Sequence, residues 1–114
     1  MNNEDSKVNT SDDPTLLLVR GNFEDKREAK RYVKSLSQAV YTVVEKHGSA
    51  KLRCVGAASV NNAVKAVSVA NTDALKREST AVLNVVPVFD TVVFDDNTER
   101  TALVLTVKYV PQVN

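Results

Sequence analysis

The sequence predicts an α+β domain of two layers with the element order β-α-β-α-β-β. Three observations predict it. Two stretches carry apolar residues at a helical period, and each lies between short β-rich runs. The last third holds two extended runs joined by Asp95-Asp96-Asn97-Thr98, which is turn chemistry. The composition, 43% hydrophobic and 25% charged over 114 residues, suits one domain around one core. With 5% aromatics and no Trp, that core has to rest on Val, Leu and Ala.

The elements follow in order. Residues 1–14 (MNNEDSKVNTSDDP) have almost no apolar content and are expected to form a disordered acidic tail, leaving residues 15–114 as the folded domain. Thr15–Arg20 is a short apolar run between Pro14 and Gly21 and reads as a buried strand. Residues 25–47 repeat Ala29, Val33, Leu36, Val40, Val43, Val44 and His47 at helical spacing. Asn22 or Asp25 is placed to cap that helix, and Gly48 to stop it. Lys51–Gly56 reads as a second strand, with Leu52 and Cys54 on one face. Ser59–Asn71 reads as a second helix with Val60, Ala63, Val64, Val67 and Ala70 on one side. Thr80–Phe89 is β-rich, and Pro87 within it requires an edge position or a bend. Thr91–Phe94 continues extended. Thr101–Val110 is the longest strand, with Leu103, Leu105 and Val107 alternating against Val104, Thr106 and Lys108.

Several function classes drop out. One Cys excludes a disulfide framework and a thiolate zinc site, and one His leaves no imidazole cluster. There is no Gly-rich phosphate loop and no nucleophile elbow. Cys54 reads as a buried apolar residue, and His47 as a last-turn residue suited to the helix dipole. No catalytic residue, cofactor or metal is therefore expected. No apolar run approaches the roughly 20 residues that span a bilayer. Met1–Pro14 is polar and acidic rather than a signal peptide, so a cytoplasmic protein without a membrane partner is expected.

The stretch Gly56-Ala57-Ala58-Ser59-Val60-Asn61-Asn62-Ala63-Val64-Lys65-Ala66-Val67 resembles the stage V sporulation protein S family. Pro87-Val88-Phe89, Asp95 and Glu99-Arg100-Thr101-Ala102 are similar to further elements of that family, in the same order, with about one residue inserted. The resemblance covers roughly residues 39–107. It implies an Alba-like β-α-β-α-β-β sandwich, a fold of dimeric proteins that bind DNA or RNA through the entrance to the second helix and the final hairpin. Carried over by position, the implied site includes Asn61 and Lys65. The first helix reads as longer at its start than the family's, and the added turns hold Lys26, Arg27, Lys30, Arg31 and Lys34.

Charge is distributed unevenly behind the net +1. Residues 1–19 are net −3, and residues 20–53 carry nine Lys/Arg against four acids, a net +5. Residues 54–114 are net −1. Lys26, Lys30 and Lys34 recur at four residues with Arg27 and Arg31 beside them, which makes a basic helix surface. Such a surface suits phosphates, and its plain alternative is a solvated helix face. At the second helix, Ser59 or Asn61 is placed to cap the first amides, and those amides also suit a phosphate. Lys65, one turn beyond Asn61, faces the same way. Tyr32 lies among the basic residues and has two readings: a base-stacking surface, or packing at the core boundary. The hairpin tip is acidic, with Asp90, Asp95, Asp96 and Glu99 against Arg100.

The expected function is nucleic-acid binding, to RNA or DNA, through phosphate contacts from Lys26, Arg27, Lys30, Arg31, Lys34, Asn61 and Lys65, with weak sequence specificity. An acidic arm is repelled by a duplex groove, which tilts the expectation toward RNA or other single strands. The alternative is a structural, oligomerising interaction module. A homo-oligomer, most simply a dimer, is expected from the small-residue second helix and the Alba-like resemblance.

Overall fold

The first helix starts and stops where its local chemistry directs. In the computed structural model, which describes residues 9–10 (as backbone) and 12–111, α1 spans Lys26–His47. The Asp25 carboxylate accepts from the Arg27 amide at 2.8 Å, satisfying one of the free first-turn N–H groups. Gly48 adopts φ +88 and donates its N–H to the Val44 carbonyl, a left-handed stop that a side chain would strain. α2 spans Ala57–Lys76, longer at both ends than the sequence predicts.

The strands are β1 (Asn9–Thr10), β2 (Leu16–Val19), β3 (Ala50–Cys54), β4 (Ala81–Val93) and β5 (Glu99–Pro111). They form one sheet in the order β1-β2-β3-β5-β4. β2 and β3 are parallel, with α1 as their connection, and β5 lies antiparallel between β3 and β4. Apart from the two-residue β1, this is the β-α-β-α-β-β order. Thr80–Phe89 and Thr91–Phe94 merge into the single strand β4. β4 is the edge of the sheet, the place where Pro87 costs no ladder hydrogen bond to a second neighbour.

Both helices cover one face of the sheet. Leu17, Leu52, Cys54, Leu83, Leu105 and Val107 point into that layer and meet Tyr32, Leu36, Val40 and Val44 of α1 and Ala63, Ala66 and Val67 of α2. The alternation on β5 is as the sequence predicts, with Leu105 and Val107 toward the helices and Thr106 and Lys108 away. The small residues of α2 serve this packing: Ala63 and Ala66 are fully buried within the chain. Val64, expected on the apolar side, is instead 48% exposed.

The expected tail over 1–14 lies outside the described residues at 1–8 and 11. Within the described part, Asn9–Thr10 pairs with Leu17 and Leu18 of β2. The Asp13 carboxylate accepts from the Thr15 amide at 2.9 Å and the Thr15 hydroxyl at 2.7 Å, and meets Lys51 Nζ at 3.1 Å. Hydrogen-bonded structure is thus described before residue 15, where Asp13 closes a turn and Asn9–Thr10 lies along the edge of β2.

Candidate functional site

α1 and α2 lie side by side, and a groove of about 500 Å³ runs between them, lined by Lys26, Ala29, Lys30, Val33, Asn62 and Lys65. Its floor is apolar, from Ala29 and Val33. Its rim carries three exposed ammonium groups: Lys26 and Lys30 from α1, one turn apart, and Lys65 from α2. No described carboxylate lies within ion-pair distance of these three lysines. Three like charges with no described carboxylate in ion-pair reach attract an anion.

The structure places the other expected residues around this groove. Lys34, Arg27 and Arg31 are exposed. At about 100° per residue, Lys26, Lys30 and Lys34 are followed round the helix by Arg27 and Arg31, so the five make one continuous basic arc. Only its first two members line the groove. Asn61 is exposed one turn before Lys65 and is not among the lining residues.

Its neighbour Asn62 is the residue that the sequence reading missed. Asn62 is buried, and its side-chain amide donates to the Arg20 and Gly21 carbonyl oxygens at 3.0 and 2.8 Å. This ties the loop after β2 to α2. A Cβ at Gly21 would stand 3.3 Å from both Ala58 Cβ and the Ser59 nitrogen, so glycine is what lets the loop approach. The sequence signal was a second Asn beside Asn61. Which of the two turns inward depends on a rotation of one residue, set only by where α2 lies.

The entrance to α2 departs from the expected cap. The helix begins at Ala57 after Gly56 (φ +92), and no side chain caps it. Ser59 is already inside the first turn, and its hydroxyl donates back to the Val55 and Gly56 carbonyls, each at 2.9 Å. Asn61 lies further in. The first turn holds no acidic residue.

Tyr32 is not a stacking surface. It is fully buried, and its hydroxyl accepts from the Arg20 amide at 2.8 Å. Phe23 covers it with ring centroids 5.1 Å apart, and the Arg20 guanidinium lies 4.4 Å from the centre of the Phe23 ring. Burial pushes the Tyr32 phenol above its ordinary pKa. The signal was in the sequence: Tyr32, Leu36 and Val40 recur at four residues and share the core face. Cys54 is buried as expected, its thiol pushed up to about 11 by burial. His47 is exposed at the end of α1.

The model of the family described as Stage V sporulation protein S (SpoVS) matches residues 26–110. The chain belongs to that family. The match opens at Lys26, the first residue of α1, so the turns that hold Lys26, Arg27, Lys30, Arg31 and Lys34 are part of the SpoVS match rather than an addition to it. Comparison with curated proteins finds no match. Among the described residues no helix is long and apolar enough to cross a membrane, and no group of three or more His, Cys, Asp or Glu is placed to hold a metal ion.

Proposed function

We propose that this SpoVS-family chain binds nucleic acid through phosphate contacts in the α1–α2 groove. The observation that carries the reading is the convergence of Lys26 and Lys30 with Lys65, from the next helix, around one groove that no described acid neutralises. Lys34, Arg27 and Arg31 extend the surface along α1 and suit the neighbouring phosphates of a strand. Asn61, exposed one turn before Lys65, offers a hydrogen bond. The proposed contacts are to phosphates, which position a strand without reading its bases, so binding is weakly sequence-specific. With Tyr32 buried, the preference for RNA or other single strands rests on the acidic hairpin alone. The reading assigns no catalytic residue and carries a cytoplasmic location with it.

A second reading, an oligomerising module, draws on a different surface. Val86, Val88, Phe89 and Val93 of β4 are all at least half exposed, and Phe89 reaches 79%. Val86 and Val88 lie on the face away from the helices and Phe89 and Val93 on the helix-side face, and exposed apolar side chains on an edge strand favour a homo-oligomer, most simply a dimer, formed along it. The small residues of α2 do not support it, being used within the chain.

Fluorescence anisotropy with labelled single-stranded RNA and duplex DNA, over a salt series, tests the first reading. Replacing Lys26, Lys30 and Lys65 together by Gln should weaken binding to every sequence. Each lost phosphate contact lowers the salt slope of the logarithmic affinity by about 0.7 to 0.9, so the triple variant should lose roughly 2 to 3 units. Unchanged affinity and slope in a folded triple variant would remove the groove from the site.

A further inference from the structure

The basic groove has a counterpart on the same chain. β4 and β5 end in a hairpin whose tip carries Asp95, Asp96 and Glu99, all exposed, with Asp90 a few residues back, 4.0 Å from Arg53. The tip is well formed. The Phe94 amide donates to the Thr98 carbonyl and the Asn97 amide to the Phe94 carbonyl, both at 2.9 Å, and Asn97 takes the left-handed φ of +66. Thr98 donates to the Asp96 carboxylate from its amide at 3.0 Å and its hydroxyl at 2.6 Å, which fixes that charge in place. Among these acids stand Val93, 60% exposed, and Phe94, 40% exposed, with the Arg100 guanidinium 5.5 Å from the centre of the Phe94 ring. The tip is thus an apolar knob with an acidic collar. The groove is an apolar floor, Ala29 and Val33, with a cationic rim, Lys26, Lys30 and Lys65. No residue of the tip lines the groove of its own chain.

We propose that the hairpin tip of one chain docks into the α1–α2 groove of a second copy, with Val93 and Phe94 over Ala29 and Val33 and the carboxylates among the three lysines. Charge complementarity selects this occupant over an apolar or basic one, since the acids of the tip outnumber its one arginine and the groove rim is wholly cationic. The two surfaces differ, so the contact is head-to-tail. Every docked pair keeps one free tip and one free groove, and growth continues until a ring closes. The contact stands whether or not the groove binds nucleic acid. If it does, assembly and nucleic acid compete for Lys26, Lys30 and Lys65.

Sedimentation velocity on three proteins tests this. The first is the wild type. The second is a tip variant, Asp95→Asn, Asp96→Asn and Glu99→Gln, in which the side-chain amide introduced by Asp96→Asn keeps an acceptor for Thr98. The third is a groove variant, Lys26→Gln, Lys30→Gln and Lys65→Gln. All six positions are exposed, and circular dichroism with thermal melting verifies the fold. The wild type should grow in mass with concentration at low salt and shrink as salt rises, because screening weakens the contact. Each variant alone should lose that growth. An equimolar mixture should regain one contact only, the intact tip of the groove variant in the intact groove of the tip variant, and should stop at one added pairing. A wild type that shows no concentration-dependent growth at low salt overturns the proposal. So does growth that both variants retain, which assigns self-association to the apolar strand β4. RNA anisotropy on the same groove variant reports separately on the nucleic-acid reading, so either can fail alone.

Discussion

The helix layer and the hairpin arm follow opposite rules. In the layer, α1 and α2 place Tyr32, Leu36, Val40, Ala63 and Ala66 at zero exposure, and the polar groups drawn inside find partners: the Tyr32 hydroxyl with the Arg20 amide, the Asn62 amide with two carbonyls. In the arm, Val86, Val88, Phe89 and Val93 face solvent, and acids crowd the end. The layer is basic outside and the arm acidic. The difference teaches where each part gets its purpose. The layer is shaped by what it buries within the chain, whereas the arm carries apolar residues that intrachain packing does not use.

The largest effect that would sharpen this contrast is on stability. Leu36→Ala removes a fully buried side chain between α1 and the sheet and should cost about 2 to 5 kcal/mol. Phe89→Ala removes a larger side chain that is 79% exposed, and should change the stability of the isolated chain by less than about 0.5 kcal/mol. Urea unfolding of both variants measures the pair. Comparable losses would mean that the arm is part of the folding core.

A smaller effect separates two adjacent residues of α2. Asn62→Ala leaves the Arg20 and Gly21 carbonyls without their donor and should cost about 1 to 3 kcal/mol. Amide exchange should quicken in the loop around residues 20–22, which this side chain holds. Asn61→Ala, one residue away and exposed, should stay within about 0.5 kcal/mol. Equal effects at 61 and 62 would break the assignment of Asn62 as the clamp.

These two asparagines also mark how far the sequence could be read. Elements set by local chemistry were legible: Gly48 and one of two candidate caps, Asp25, bound α1, Pro87 restricts its segment to an edge or a bend, and the alternation of β5 gives its two faces. The start of α2 was not, because Ser59 has the chemistry of a cap while Gly56 supplies the backbone turn, and the turn decides. The basic arc of α1 was legible from its spacing of four. The groove was not, because Lys65 meets Lys26 and Lys30 only through the packing of α2 on α1. Tyr32 was legible in the spacing of Tyr32, Leu36 and Val40, although its charged neighbours pointed elsewhere. Val64 was not, since it belongs to the apolar stripe by period and lies beyond the width that the neighbouring elements cover.

The smallest effect concerns the junction before β2 and is a matter of pH. Hydrogen bonds from the Thr15 amide and hydroxyl, then the Lys51 ammonium, hold the Asp13 carboxyl down at about 2, against 3.8 for an ordinary Asp. A group whose folded pKa is depressed stabilises the fold above its unfolded pKa, and that contribution fades as pH falls through the folded one. Asp13 therefore contributes fully above about pH 4 and loses its contribution toward pH 2. Asp13→Asn keeps an acceptor for Thr15 but lacks the charge that strengthens those bonds and pairs with Lys51. The site is open to solvent, so the gap in melting temperature between wild type and this variant should be small at neutral pH. It should close as pH is lowered toward about 2, where the wild-type carboxyl takes up its proton and becomes a neutral acceptor like the amide. Melting curves of both proteins, taken down to the lowest pH at which they stay folded, check this. A gap that persists unchanged through the acid range would show that Asp13 acts through the shape of its turn alone.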